Sequence, residues 1–344
     1  MSILEDQHTN IGVHDEQPHN NKRCLAFTGK EAARIVEDPT QISELLKEES
    51  TFVWLDLAEP TAEDLQLVQE EFSIHPVAIE DAHLTHERPK IEIFSNFVLL
   101  VVHGAAMVHG RIVISEMAIF ANKNYLVTIR QSPLFSIKNI EKRWSVHAGP
   151  IPHTAIGLLY VILDTIVDSY FPIADAYDNR IDRIEAHLFD SKRKAQTVLK
   201  EIFNFKRDLQ VFRRAAAPVR EILAPIIRGD VEPLDAGIIA YYRDIYDHVL
   251  RMVDQIDAQR DLINSALDVH LSLQSHRQGE IAKQLTIIAT IFLPLTFITG
   301  FFGQNFDFLV KTISPEHIFW WYGVGSEIVA LVALLVYFRY KRWF

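Results

Sequence analysis

Two long uncharged runs lie next to each other near the end of this chain, and they limit what the rest of it can be. Between Lys283 and Asp307 there is no charged residue, and the 23-residue segment reads QLTIIATIFLPLTFITGFFGQNF. At 1.5 Å per residue it is long enough to cross a hydrocarbon core of about 30 Å. The second run, Ile318 to Phe338, has 21 residues and one charge, Glu327. Only 11 residues, Asp307 to His317, separate the two. Both runs exceed the length of about 18 apolar residues that marks a membrane span, so they read as a transmembrane helical hairpin in a lipid bilayer rather than as a buried pair.

Basic residues give the hairpin a direction. Arg277 and Lys283 precede the first run, and Arg339, Lys341 and Arg342 follow the second. The connecting loop holds one lysine and two acids. The positive-inside rule then puts both termini in the cytoplasm and the loop outside. Trp320, Trp321 and Tyr322 fall at the outer interface, Tyr340 and Trp343 at the inner one, as an aromatic belt would.

Composition narrows the function. The net charge is −11, from 45 acidic and 34 basic residues, which argues against nucleic acid, whose phosphates need a basic face. The single cysteine, Cys24, excludes a disulfide framework and any CxxC site. The polar first 20 residues, with Glu5, Asp6, Asp15 and Glu16, lack the apolar core of a secretory signal. No GxxxxGK[ST], GxSxG or HExxH pattern occurs, and the 15 histidines are scattered, so an enzyme is not expected.

The remaining chain divides by pattern. Residues 1–22 are polar, carry His8, His14 and His19, and read as a disordered tail. Residues 23–150 form a mixed α/β domain. Strands are expected at Phe52–Leu57, Glu92–Val102, Ile112–Phe120 and Tyr125–Arg130, with turns at His109-Gly110-Arg111 and Asn122–Asn124. Helices are expected at Gln41–Lys47, Thr61–Phe72 and Pro76–Ala82, the second opened by the capping-box pattern Thr61-Ala-Glu-Asp. Residues 151–283 are long helices and stalk: one to about Leu188, one from about Lys192 to Leu223, and one from about 235 running unbroken to about 302. The spans follow at 284–306 and 318–338, with an outer loop at 307–317 and a basic tail at 339–344.

The stalk is acidic at regular intervals. Asp247, Asp254, Asp261 and Asp268 recur every seven residues, with Asp244 and Asp257 near the stripe. The earlier helix carries Asp164, Asp168, Asp175, Asp178, Asp182 and Glu185. Few have a basic residue at i+4, so they repel one another unless a cation intervenes, and hard divalent ions take carboxylate oxygen. At the end of the first span, Gly303 permits a tight turn, and Gln304 and Asn305 offer neutral amide oxygens that can hold a hydrated cation without trapping it.

Gly303-Gln304-Asn305, preceded by Leu285-Thr-Ile-Ile-Ala-Thr-Ile-Phe-Leu-Pro-Leu-Thr-Phe-Ile-Thr-Gly, resembles the CorA family of divalent cation channels, which carry two spans and a Gly-x-Asn signature, usually Gly-Met-Asn. Ile74-His-Pro-Val-Ala-Ile-Glu-Asp-Ala-His and Arg88-Pro-Lys-Ile-Glu look like that family's cytosolic domain. Tyr242-Arg-Asp-Ile-Tyr-Asp-His, leading to Leu267-Asp268-Val, is a third block, and the resemblance covers roughly 23–344.

The resemblance implies an α+β cytosolic domain, an αβα sandwich, on long stalk helices and a two-helix hairpin, five copies forming a homopentameric funnel in the inner (cell) membrane. The first spans would line the pore and the second would ring it. It implies Mg2+ uptake, with Co2+ and Ni2+, down the electrochemical gradient. Cytosolic Mg2+ at subunit interfaces would close the pore, with no organic cofactor and no other protein partner. Residue by residue, Asp81 and Asp268 match the pair that holds the sensor ion, and Glu80, Asp164 and Asp244 look like a second sensor site. Gly303 and Asn305 match the selectivity loop, and Leu285, Leu293 and Thr296 the pore-facing positions.

There are departures. Gln304 replaces the usual Met, Gly279 stands where many relatives have a pore-lining Asn, and Glu327 lies at the middle of the second span. The zinc-transporting ZntB-like branch also replaces the Met, so a Zn2+ transporter, proton-coupled through a group such as Glu327, is the alternative. Oxygen-only ligands favour Mg2+, whereas His75, His83 and His86 keep zinc open. Glu327 should avoid lipid, and Thr290, Thr296 and Thr299 on the first span are its candidate hydrogen-bond partners.

Overall fold

The computed structural model describes residues 21–28, 33–48, 50–83, 88–132, 137–146, 151–190, 192–231, 236–304, 307, 310–311 and 316–343. The polar tail 1–20, His86, Asn305 and parts of the outer loop lie outside the described residues. The chain falls into two units, Met1–Ala266 and Leu267–Phe344.

The first unit is built on seven strands: β1 (Lys22–Thr28), β2 (Arg34–Ile35), β3 (Thr51–Ala58), β4 (Lys90–Ile93), β5 (Val98–Val108), β6 (Arg111–Ala121) and β7 (Tyr125–Arg130). Their order in the sheet is β2-β1-β3-β7-β6-β5-β4. Only β3 and β7 pair in parallel, with Asp56 opposite Thr128; the other neighbours are antiparallel. Every residue from Thr51 to Leu57 is buried, as befits a central strand covered on both faces. Val53, Leu55 and Leu57 join a core with Val68, Phe72, Ala78 and Ile79 from the helices α2 (Ala62–Phe72) and α3 (Pro76–His83). By alternation Trp54 and Asp56 face the opposite layer. There Asp56 accepts from Arg130 Nε at 2.9 Å and from Thr128 Oγ1 at 2.6 Å, and Trp54 Nε1 donates to the same threonine.

That opposite layer is helical: α4 (Ile137–Val146), α5 (Ala155–Asp168), α6 (Phe171–Phe189), α7 (Ala195–Ala216) and α8 (Val219–Arg228). A short helix, α1 (Ile42–Leu45), lies earlier in the chain. Three expectations need correction. The strand expected over Glu92–Val102 is broken, because Ser95-Asn96 turns the chain between β4 and β5; Phe94 N donates to the Phe97 carbonyl and the two rings stack at 4.5 Å. The helix expected to Leu188 breaks near Ser169–Tyr170, just before Pro172, and the next breaks at Ala217-Pro218. The strands β1 and β2 and the helix α4 were not foreseen.

Helix α9 (Ala236–Phe302) is 67 residues long, about 100 Å at 1.5 Å per residue. In the first unit it buries Tyr242, Ile245, Val249, Met252, Ile256, Gln259, Ile263 and Ala266. Steps of three and four residues make these one seam. In the second unit, α9 supplies the first apolar run and α10 (Glu316–Tyr340) the second. A third segment, Ala155–Phe189, is also long and apolar enough to span a membrane. Burial separates the cases: 61% of its apolar window is inside the protein, against 6% for α9 and 0% for α10. The first is core, and the other two present their apolar surface outward.

Candidate metal centre and pore segment

Helix α5 brings the first acids into place. Thr154 caps it, accepting from Gly157 N at 3.4 Å, and ten of its 14 residues are buried. Asp164 and Asp168 lie four residues apart, on one face. Asp244 and His248 have the same spacing on α9, with a His248 Nε2–Asp244 Oδ1 distance of 3.8 Å. Ligand atoms of Asp164, Asp168 and His248 all lie within 4.8 Å of one another. A single guanidinium nitrogen of Arg143, on α4, donates to Asp164 Oδ2 at 2.6 Å and to Asp168 Oδ2 at 2.9 Å.

The electrostatics are those of crowded acids. Burial pushes the Asp164 carboxyl above the usual aspartate range, and the Asp168 charge adds to this, while Arg143 and His248 oppose it. Burial, with Asp164 and Asp244 nearby, pushes the Tyr160 hydroxyl up to about 12. His248 Nδ1 is buried without a hydrogen-bond partner. Two carboxylates and one imidazole nitrogen at this separation fit a divalent cation; the carboxylates suit a hard ion such as Mg2+, and the imidazole would also suit Zn2+.

The expected sensor residues separate. Asp164 is one of the three grouped side chains, and Asp244 lies beside them, 3.8 Å from His248 Nε2. Glu80 is an exposed residue of α3 and is not one of the three grouped side chains. Asp81, also on α3, lies in the first unit and Asp268, exposed on α9, in the second. Lys90 Nζ sits 2.9 Å from Asp81 Oδ2 and 2.5 Å from Glu92 Oε1. Asp168 and His248 were missed as site members, although each lies four residues from an acid that was named. Arg143 gave no signal at all, being 21 residues from Asp164.

Contrary to the expectation from i+4 spacing, several of these acids have basic partners, which come from other elements. Arg143 serves Asp164 and Asp168, and Arg213 serves Asp257 at 2.8 Å. The stripe Asp247, Asp254, Asp261 and Asp268 is exposed.

In the second unit, Leu285, Leu293 and Thr296 are exposed, within an arc of about 80° at 100° per residue. Helix α9 ends at Phe302, and Gly303 N donates to the Thr299 carbonyl at 2.9 Å. Gly303 is not among the glycines of positive φ; a Cβ there would instead lie 3.2 Å from that carbonyl oxygen. Gln304 N donates to the Phe301 carbonyl. Of the three threonines considered for Glu327, Thr299 is the partner, its Oγ1 2.9 Å from Glu327 Oε1. Thr296 Oγ1 returns to the Phe292 carbonyl of its own helix. A cleft of ≈ 380 Å³ beside this bond is lined by Phe302, Gly303, Phe319, Val324 and Glu327 among others. Near its start helix α10 makes a π-helical turn, Phe319–Val324, that carries the exposed Trp320, Trp321 and Tyr322.

Comparison with known proteins places the chain's family and fold. The family described as CorA-like Mg2+ transporter protein matches residues 49–342. The cobalt/magnesium transport protein CorA of Thermotoga maritima is 33% identical over 305 residues, covering 86% of this chain and 85% of that protein. The complete structure of the CorA magnesium transporter from Methanocaldococcus jannaschii shares the fold with a TM-score of 0.78 at 22% identity, over 93% of this chain and 98% of that one. The ZntB cytoplasmic domain from Vibrio parahaemolyticus is more distant, with a TM-score of 0.57 at 12% identity over 74% of this chain and 98% of that one.

Proposed function

Because this chain belongs to the CorA-like Mg2+ transporter family, we propose that it is a membrane channel for Mg2+, with Co2+ and Ni2+ as further substrates. Five copies form the pore, both termini are cytoplasmic, and the membrane is the inner (cell) membrane. Leu285, Leu293 and Thr296 line the path, and Gly303, Gln304 and Asn305 form the outer mouth. Five Asn305 amides hydrogen-bond the waters of an incoming hydrated ion. The membrane potential drives entry: at ~2.3 kcal/mol per charge per 100 mV, a divalent ion gains roughly 4.6 kcal/mol.

Regulatory Mg2+ closes the pore. Asp81 and Asp268 of adjacent subunits hold one ion; Asp164, Asp168, Asp244 and His248, with Glu80, hold a second. Bound Mg2+ offsets the mutual repulsion of these carboxylates, so an interface that needs the ion is populated only when the cytosol is replete. The observation that carries this reading is helix α9, a single helix bearing His248 of the cation cluster, Asp244 beside it, and most of the uncharged run that leads to Gly303.

A Zn2+ transporter is the second reading, favoured by His248 in the cluster and by Gln304 in place of Met. Flux into proteoliposomes with Mg2+, Co2+, Ni2+ and Zn2+, with and without a pH gradient, separates the two. Mg2+ flux indifferent to the gradient supports the channel; Zn2+ flux that needs it overturns the channel. Glu327→Gln keeps a hydrogen-bond acceptor for Thr299 but cannot carry a proton. Intact assembly and flux in that variant are expected, and loss of a pH-dependent flux component would contradict the channel.

A further inference from the structure

We propose that Arg143 is a tethered counter-cation: its guanidinium occupies the Asp164 and Asp168 carboxylates until a divalent ion displaces it, and so sets the concentration at which the second sensor site fills. The inference rests on the reading of that cluster as a regulatory Mg2+ site.

The geometry is that of a competitor. One nitrogen of Arg143 bridges Asp164 Oδ2 and Asp168 Oδ2, at 2.6 and 2.9 Å, and these two carboxylates belong to the three-residue group that could hold an ion. An oxygen that accepts a guanidinium N–H directs that lone pair away from a metal, and the positive charge repels a second cation at the same place. The groups around it are Asp244, His248 and Tyr160, so Arg143 is the fixed cation facing two aspartates and a third nearby. Its side chain is one-third exposed, so the guanidinium has a path to water when the ion arrives. The site is thus never an open pair of bare carboxylates: ion binding is an exchange of one cation for another.

The same arrangement recurs independently at the other sensor. Lys90 Nζ lies 2.9 Å from Asp81 Oδ2 and 2.5 Å from Glu92 Oε1. A tethered cation weakens the apparent affinity for Mg2+, as a sensor working at cytosolic concentrations requires, because a site that held the ion too tightly would stay full.

The test is Mg2+ titration of the full-length protein in detergent, read by protection from trypsin and by calorimetric binding, for the wild type, Arg143→Met, Arg143→Lys and Asp164→Asn. Removing the competitor should lower the half-protecting Mg2+ concentration at least about fivefold, the low end of typical coupling between two ligands. Arg143→Lys restores the charge without the two-carboxylate bridge and should give an intermediate midpoint. A purely structural Arg143 would instead raise the midpoint or leave it unchanged, and either result, in Arg143→Met or in Arg143→Lys should the first not fold, overturns the inference. If Asp164→Asn shifts the midpoint and the Arg143 variants do not, the site stands and the inference falls. If none shifts, the site reading falls with it.

Discussion

A Cβ on Gly157 would lie 2.0 Å from the carbonyl oxygen of Pro152. The chain before α5 folds back tightly, with Thr154 N donating to that same Pro152 carbonyl, and only glycine leaves room for the approach. The clash is with backbone, which cannot rotate aside. Gly157→Ala should therefore destabilise the first unit by about 1–3 kcal/mol, the usual range for overpacking; a melting temperature equal to the wild type would contradict it. At this scale some chemistry was legible. Thr61 and Asp64 form the capping box that their spacing announced, each side chain bonded to the other's backbone N–H. Asp164 and Asp244 lie in the acidic rows that periodicity marked, but only the resemblance singled them out as sensor candidates. Arg143 was found by neither, because an ion pair between two elements leaves no local pattern. His248 was overlooked because a histidine beside an acid on a helix is ordinary until a second helix brings two more acids to it.

The long helix α9 shows how periodicity becomes packing. Its buried seam from Tyr242 to Ala266 follows the three–four rhythm of a helix face, and the helix ends within a residue or two of the bounds read from sequence. What sequence could not show was which acids would be neutralised from α7. Arg213 donates to Asp257 at 2.8 Å, and this hydrogen bond holds the Asp257 carboxyl below its ordinary value of 3.8, against slight desolvation. A carboxyl lowered on folding stabilises the protein above its unfolded value, and that contribution disappears as pH falls through the folded one. Arg213→Ala should thus lower the melting temperature near pH 7, and the gap to the wild type should close below about pH 3.8. A gap of equal size at pH 7 and pH 3 would show that Arg213 acts through packing alone. Breaks within elements were the harder feature: Ser169-Tyr170 between two helices and Ser95-Asn96 between two strands have no glycine at the break, so the period runs on through them in sequence.

For the whole molecule, the apolar hairpin was the most legible feature, because membrane-spanning length is a gross property of sequence. The seven-stranded sheet was partly legible: its four central and paired strands alternate or run apolar, while β1 and the two-residue β2 carry too little pattern to stand out. The proposed pore mouth rests on resemblance alone, since a glycine and two amides after a helix are commonplace. The central claim is that Asn305 at this mouth passes hydrated divalent cations under the membrane potential. The direct measurement is Mg2+ entry into proteoliposomes at an inside-negative potential with low internal Mg2+, comparing the wild type with Asn305→Ala after both are shown to assemble alike. The account predicts potential-dependent influx in the wild type, at least about tenfold weaker in Asn305→Ala, which is ~1.4 kcal/mol of lost ion recognition. Equal influx in the two proteins, or none in the wild type at any potential, would contradict it.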